Sequence, residues 1–182
     1  MKRIVFALLL APASLVAQVI DFEADALGAT PRAWSIAMTH DGGAPRWQVE
    51  RDPTSQSGSK VLAQLSDDRT SGRFPLAIYE ADELTNGAIR VWFKPISGRV
   101  DQAAGLVWRY RDENNYYIVR ANALEDNVVL YKVENGRRSS LSPVGRPGEY
   151  GVSHTVPSRR WSTLGVEFDS VTYFDGFEIM TE

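Results

Sequence analysis

The chain reads as an all-β protein, a β-sandwich of jelly-roll type, and three observations say so. Short runs rich in Val, Ile, Tyr, Trp and Phe recur along it, separated by turns of Gly, Asn and Asp. No segment of useful length repeats its apolar residues with a helix's 3.6-residue period. The run 105–136 packs three alternating segments into one stretch, with turn residues between them.

The N-terminus comes first and lies outside the fold. Lys2 and Arg3 precede an apolar stretch, residues 4–10, and then a small-residue stretch, residues 11–17. That order is a secretory signal peptide, with cleavage expected after Ala17. The apolar stretch is too short to span a bilayer, so no membrane association is expected once 1–17 is removed. Residues 18–182 then make a single domain. The formal charge is −3, more acidic still once Lys2 and Arg3 leave, whereas nucleic-acid binding needs a basic face. With no Cys, an exported domain of this size depends on its core rather than on disulfides. No Asn-x-Ser/Thr acceptor occurs. A bacterial periplasmic or extracellular protein fits all of this.

Residues 19–23 read as an opening strand, stopped by Ala26-Leu27-Gly28. Strands are expected at 34–38 and 47–51, on either side of the loop Asp41-Gly42-Gly43, and 51–59 is polar and turn-rich. Further strands are expected at 60–65 and 74–79, around Asp67-Asp68-Arg69. The segment 88–94 alternates, with Ile89, Val91 and Phe93 on one face and Arg90, Trp92 and Lys94 on the other. Pro95-Ile96-Ser97-Gly98 should break it. Residues 106–111, 116–122 and 128–134 form the central meander. In its middle strand Tyr116, Ile118, Arg120 and Asn122 share one face, and Tyr117, Val119 and Ala121 share the other. Asn135-Gly136 suits a type I′ hairpin turn. The Pro-containing stretch 142–160 is irregular.

Near the C-terminus the local chemistry is inconsistent. Residues 161–168 and 171–179 both look like strands, yet only Asp169-Ser170 separates them. A two-residue hairpin wants positive φ, usually from Gly or Asn-Gly. One continuous strand would far exceed the usual length. The chain looks joined where something else once stood.

The stretch from Asn114 to Asn127, then Leu130-Tyr131-Lys132-Val133 and Asn135-Gly136, resembles an exported bacterial family. That family belongs to the concanavalin A-like lectin/glucanase superfamily and is related to the 3-keto-disaccharide hydrolase-type domain. Ile20-Asp21-Phe22-Glu23, Trp161-x-x-Leu164-x-Val166 and the ending from Asp169 to Asp175 match as well. The resemblance implies two further strands between Phe168 and Asp169, which this chain lacks. The expected sandwich is therefore incomplete by about two strands near its C-terminus.

The candidate site follows from the same stretch. On a jelly-roll lectin's concave sheet, aromatic rings stack on sugar faces while Arg and Asn bond the hydroxyls. The candidates here are Trp92, Trp108, Tyr110, Arg120, Asn122 and Tyr131. By alternation Trp108 and Tyr110 share a face, as do Arg120 and Asn122. The competing reading puts the aromatics in the core and pairs Arg120 with an acidic neighbour. Catalytic residues are not legible. Glu80-Ala81-Asp82-Glu83-Leu84-Thr85 ends in Thr85 where a glucanase's Glu-x-Asp-x-x-Glu needs Glu. His40 and His154 are the only histidines and stand in loops far apart. No cofactor is expected, except that Asp21, Glu23 and Asp175 are weak candidates for a structural Ca²⁺. The leading expectation is an exported, lectin-like carbohydrate-binding domain. A hydrolase or lyase on (keto-)disaccharides rests on the resemblance, and a truncated, non-functional remnant rests on the join.

Overall fold

Alternating apolar residues need two layers to bury them, and the computed structural model builds those layers entirely from strands. It describes residues 16–81, 83, 87–144 and 170–181, and no helix occurs among them. In chain order the strands are β1 (Val16–Ile20), β2 (Trp34–Thr39), β3 (Trp47–Arg51), β4 (Lys60–Gln64) and β5 (Phe74–Tyr79). They continue with β6 (Gly87–Ser97), β7 (Ala103–Asp112), β8 (Asn115–Asn122), β9 (Asn127–Glu134), β10 (Arg137–Val144) and β11 (Val171–Thr181). Every strand pairing described is antiparallel.

One sheet is built on β11. β6 runs along one of its edges, while β1 and β4 share the other, and β3 lies outside β4. The second sheet is the meander, in the order β10-β9-β8-β7, and β2 pairs β5 as a separate ribbon. The main core lies between the sheets. Val49, Leu62, Val91, Phe93 and Phe174 of the first sheet meet Ala104 and Ala121 of the second. The meander's opposite face carries Tyr116, Ile118 and Val133, which pack against Leu76 of β5. The expected all-β sandwich is therefore what forms, and both faces of β8 are used as alternation predicts.

The hairpin between β9 and β10 shows the local logic. Glu134 pairs with Arg137, so Asn135 and Gly136 are the whole loop, with φ of 50° and 76°. Both values are positive, as a type I′ turn requires.

Two expected elements are corrected, and one strand was not foreseen. The opening strand ends at Ile20, because Phe22 adopts φ 62° and turns into the core at 2% exposure. Its start, Val16, pairs with Thr181, inside the expected signal segment. The segment at 88–94 runs on through Pro95 to Ser97; a register shift beside Pro95 accommodates the missing N–H. β10 was not expected, because Arg137-Arg138-Ser139-Ser140 lacks apolar alternation. The turn and its partner strand impose it instead. The 161–168 strand and the Phe168 side of the join lie outside the described residues. On its other side Ser170 is buried and its hydroxyl donates to Asp101 O at 2.9 Å.

Candidate functional site

β8 and β9 bring Arg120 and Tyr131 onto the meander face away from the main core. Arg120 is 3% exposed, yet both its terminal nitrogens have partners. Nη1 donates to Glu125 Oε2 at 2.5 Å and Nη2 to Tyr131 Oη at 2.7 Å. Asn127 Nδ2 donates to the same Glu125 oxygen at 3.1 Å. Arg138 of β10 lies 4.4 Å from the centroid of Tyr131 and 4.4 Å from that of Phe74. The result is a band in which guanidinium groups alternate with rings, and charge spread over flat groups favours such stacking. Glu125 keeps 49% of its side chain open to solvent.

Electrostatics fixes the state of this carboxylate. Burial pushes Glu125 up, but the hydrogen bond and charge of Arg120 outweigh that and hold it below the usual carboxylate range. Deeper in the same face, Tyr116 is driven up to about 12, chiefly by burial. Its hydroxyl lies 2.8 Å from Thr39 Oγ1, which donates to Glu113 O at 2.6 Å.

Asn122 shares Arg120's face but is fully buried, with its amide spoken for. Nδ2 donates to Asp101, while Oδ1 accepts from the backbone N–H of Leu124 at 3.0 Å and of Gln102 at 3.3 Å. It closes the loops at both ends of the β7–β8–β9 corner.

Trp108 and Tyr110 do not share a face, contrary to expectation. Arg109 between them sits at φ 50°, in a register shift between Trp108 and Asp112. The bulge breaks the alternation. Trp108 stacks on Tyr117 at 5.8 Å, whereas Tyr110 approaches Tyr116 on the opposite face at 6.3 Å. Both border a cavity of about 860 Å³ between the sheets, with Trp34, Leu106, Val119 and Phe177 also in its wall. Trp92 is not with the others either. It stands on the first sheet, on the side away from the core, with Asp175 as its cross-strand partner.

The acidic candidates serve as anchors. Glu23 Oε1 accepts the backbone N–H groups of Ser59 at 2.7 Å and Lys60 at 2.6 Å. The Ser59 hydrogen bond leads the causes that hold its pKa below the ordinary value. Asp175 accepts Ser57 N at 2.7 Å and Ser57 Oγ at 2.9 Å. Asp21 Oδ1 accepts the N–H of Glu23 at 3.1 Å. No group of three or more His, Cys, Asp or Glu able to hold a metal occurs among the described residues. His40 Nδ1 is 2.7 Å from Gly72 O, and its ring lies beside Gly136 in the β9–β10 turn. His154, Asp82 and Thr85 lie outside the described residues.

The competing expectation, that Arg120 pairs with an acidic neighbour, is met by Glu125, but sequence reasoning named neither Glu125 nor Arg138. Glu125 was legible only as a turn residue, although it stands five positions after Arg120 across a four-residue loop. Arg138 was hidden because β10 was not recognised.

No protein-family profile matches the chain, and no curated protein does. A solved carbohydrate binding module, CBM66 from Bacillus subtilis, is similar over 82% of this chain and 92% of its own, at 16% identity and a TM-score of 0.35. That likeness is too loose to carry a ligand or a residue's role across.

Proposed function

We propose that the protein is an exported carbohydrate-binding domain whose sugar contacts lie on the Arg120 face of the meander. The observation that carries this reading is the Arg120–Glu125–Tyr131 arrangement. A buried guanidinium fixes an open carboxylate beside an aromatic ring. Both hydrogen bonds to that carboxylate reach Oε2, which leaves Oε1 to accept a sugar hydroxyl. Tyr131 holds Arg120 through its hydroxyl and carries the Arg138 guanidinium stacked on its ring, which keeps the face around Glu125 in place. Arg120 is the positioning residue rather than the contact.

The same geometry favours binding over cleavage. Hydrolysis needs a carboxylic acid that can give up a proton at the working pH. Glu125 is held ionised, so it serves as an acceptor and not as a proton donor.

A thermal-shift screen of neutral oligosaccharides tests the reading. Each hit is then measured again with Glu125→Gln and Tyr131→Ala. Losing a hydrogen bond to a charged group removes about 1.5–3 kcal/mol, so Glu125→Gln should weaken binding roughly tenfold or more. A hit that both variants bind as tightly as the wild type would move the site elsewhere.

A further inference from the structure

We propose a second sugar-contacting platform on the opposite side of the molecule, formed by Trp92, Arg90 and Glu178. It rests on its own observations and not on the Arg120 face. Alternation along β6 turns Val91 and Phe93 into the core, at 4% and 1% exposure, and so turns Arg90 and Trp92 outward. Trp92 keeps 36% of its surface open. Single exposed apolar residues are ordinary on protein surfaces, but this one is seated. β11 shifts register between Asp175 and Glu178, opposite Trp92, and Gly176 in that bulge takes φ +57°. A Cβ at Gly176 would stand 3.2 Å from Trp92 Cδ1. The bulge thus seats the indole against bare backbone, where a side chain at 176 would press on Trp92 and would have to hold a left-handed φ.

The polar groups around the indole define the ligand. Lys94 is committed to Asp52 and Thr54, and Asp175 to Ser57 and to the N–H of Gly176. Arg90 and Glu178, paired at 3.0 Å, keep 53% and 23% of their side chains open. They stand one residue pair along from Trp92 on the same face, about 7 Å by strand geometry. That places a hydroxyl donor and a hydroxyl acceptor beside a flat apolar ring, the set that a stacked pyranose uses. The ion pair carries no net charge, so the ligand class is a neutral oligosaccharide with flat, equatorially substituted rings.

Cellohexaose, laminarihexaose and xylohexaose are the probes, titrated calorimetrically. The Glu125→Gln background isolates this platform from the other face. There, at least one hexaose should bind, and adding Trp92→Ala should weaken it tenfold or more. Trp92→Tyr should retain affinity within about threefold, since it keeps a ring, and Arg90→Ala should weaken binding severalfold. Thermal melts of each variant confirm folding. If Trp92→Ala leaves every titration unchanged, or if none of the hexaoses binds in the Glu125→Gln background, the platform is refuted. Binding that Glu125→Gln abolishes in an otherwise wild-type chain assigns all recognition to the Arg120 face and equally refutes it.

Discussion

Lys94 lies on the outward side of β6 and yet is buried at 5% exposure, because the 52–59 loop folds back over it. Its ammonium meets the carboxylate of Asp52, also 5% exposed, and the hydroxyl of Thr54 at 2.7 Å. Removing one partner of such a pair strands the other charge, at a cost of about 3–5 kcal/mol. Removing both and filling the space with apolar groups is often neutral. Lys94→Met should therefore destabilise more than Lys94→Met combined with Asp52→Leu, as read from urea midpoints. Equal losses would mean that the loop is held mainly by Asp175 and Glu23. The pair also predicts a pH dependence. Burial alone would raise Asp52, but hydrogen bonds from Lys94 and Thr54 bring its pKa below the ordinary value. The unfolded chain therefore binds the proton first as pH falls. The stabilisation is fully present above about pH 4 and is lost as pH drops through the folded pKa. Melts from pH 5 to pH 2 should fall less steeply in Asp52→Asn than in the wild type.

At the scale of elements, the meander was the legible part, because turn chemistry and alternation agree there residue by residue. Asn135-Gly136 names its turn type, and a Cβ at Gly136 would stand 3.2 Å from Asn114 Oδ1 and 3.3 Å from His40 Nε2. Gly136→Ala should cost about 1–2 kcal/mol, the price of a left-handed residue with a side chain. A shift of the urea midpoint would show it, and an unchanged midpoint would mean that the loop relaxes into another turn. What was not legible depended on departures from period two. The bulge at Arg109 has no Gly to announce it, so Trp108 and Tyr110 were read as neighbours on one face. Arg120 was legible as the centre of a polar face, but its partner Glu125 comes from a loop. No pattern within one strand reports which loop residue will fold back onto it. Trp92 was correctly read as opposite to Val91 and Phe93, whereas alternation cannot tell which sheet a strand joins.

At the scale of the molecule, a cavity opens between the layers. The cavity of about 860 Å³ is walled by Ile89 and Val91 of β6, Phe174 and Phe177 of β11, and Leu106 and Trp108 of β7. Among the described residues β6 pairs only with β11 and β7 only with β8, so the cavity lies where two sheet edges have one neighbour each. Among the described residues the cavity is open to solvent, so apolar walls such as Leu106 and Phe177 are only partly buried and less apolar surface leaves water there than in the main core. A sandwich two strands short at Phe168/Asp169, as expected from the sequence, would be weakly held. The expected outcome is a broad, weak thermal transition for residues 18–182 by circular dichroism, with little cooperative loss of signal. A sharp transition above about 50 °C, inside the ordinary range for small domains, would show that the sandwich closes in solution and would remove the reading of this chain as a remnant. The two sheets differ in what they stand to lose. Trp92 is backed by β11, which β1, β4 and β6 all brace, whereas the Arg120 face belongs to the sheet whose β7 edge borders the cavity. In a partly open sandwich, sugar binding at Arg120 should therefore fade at a lower temperature than binding at Trp92.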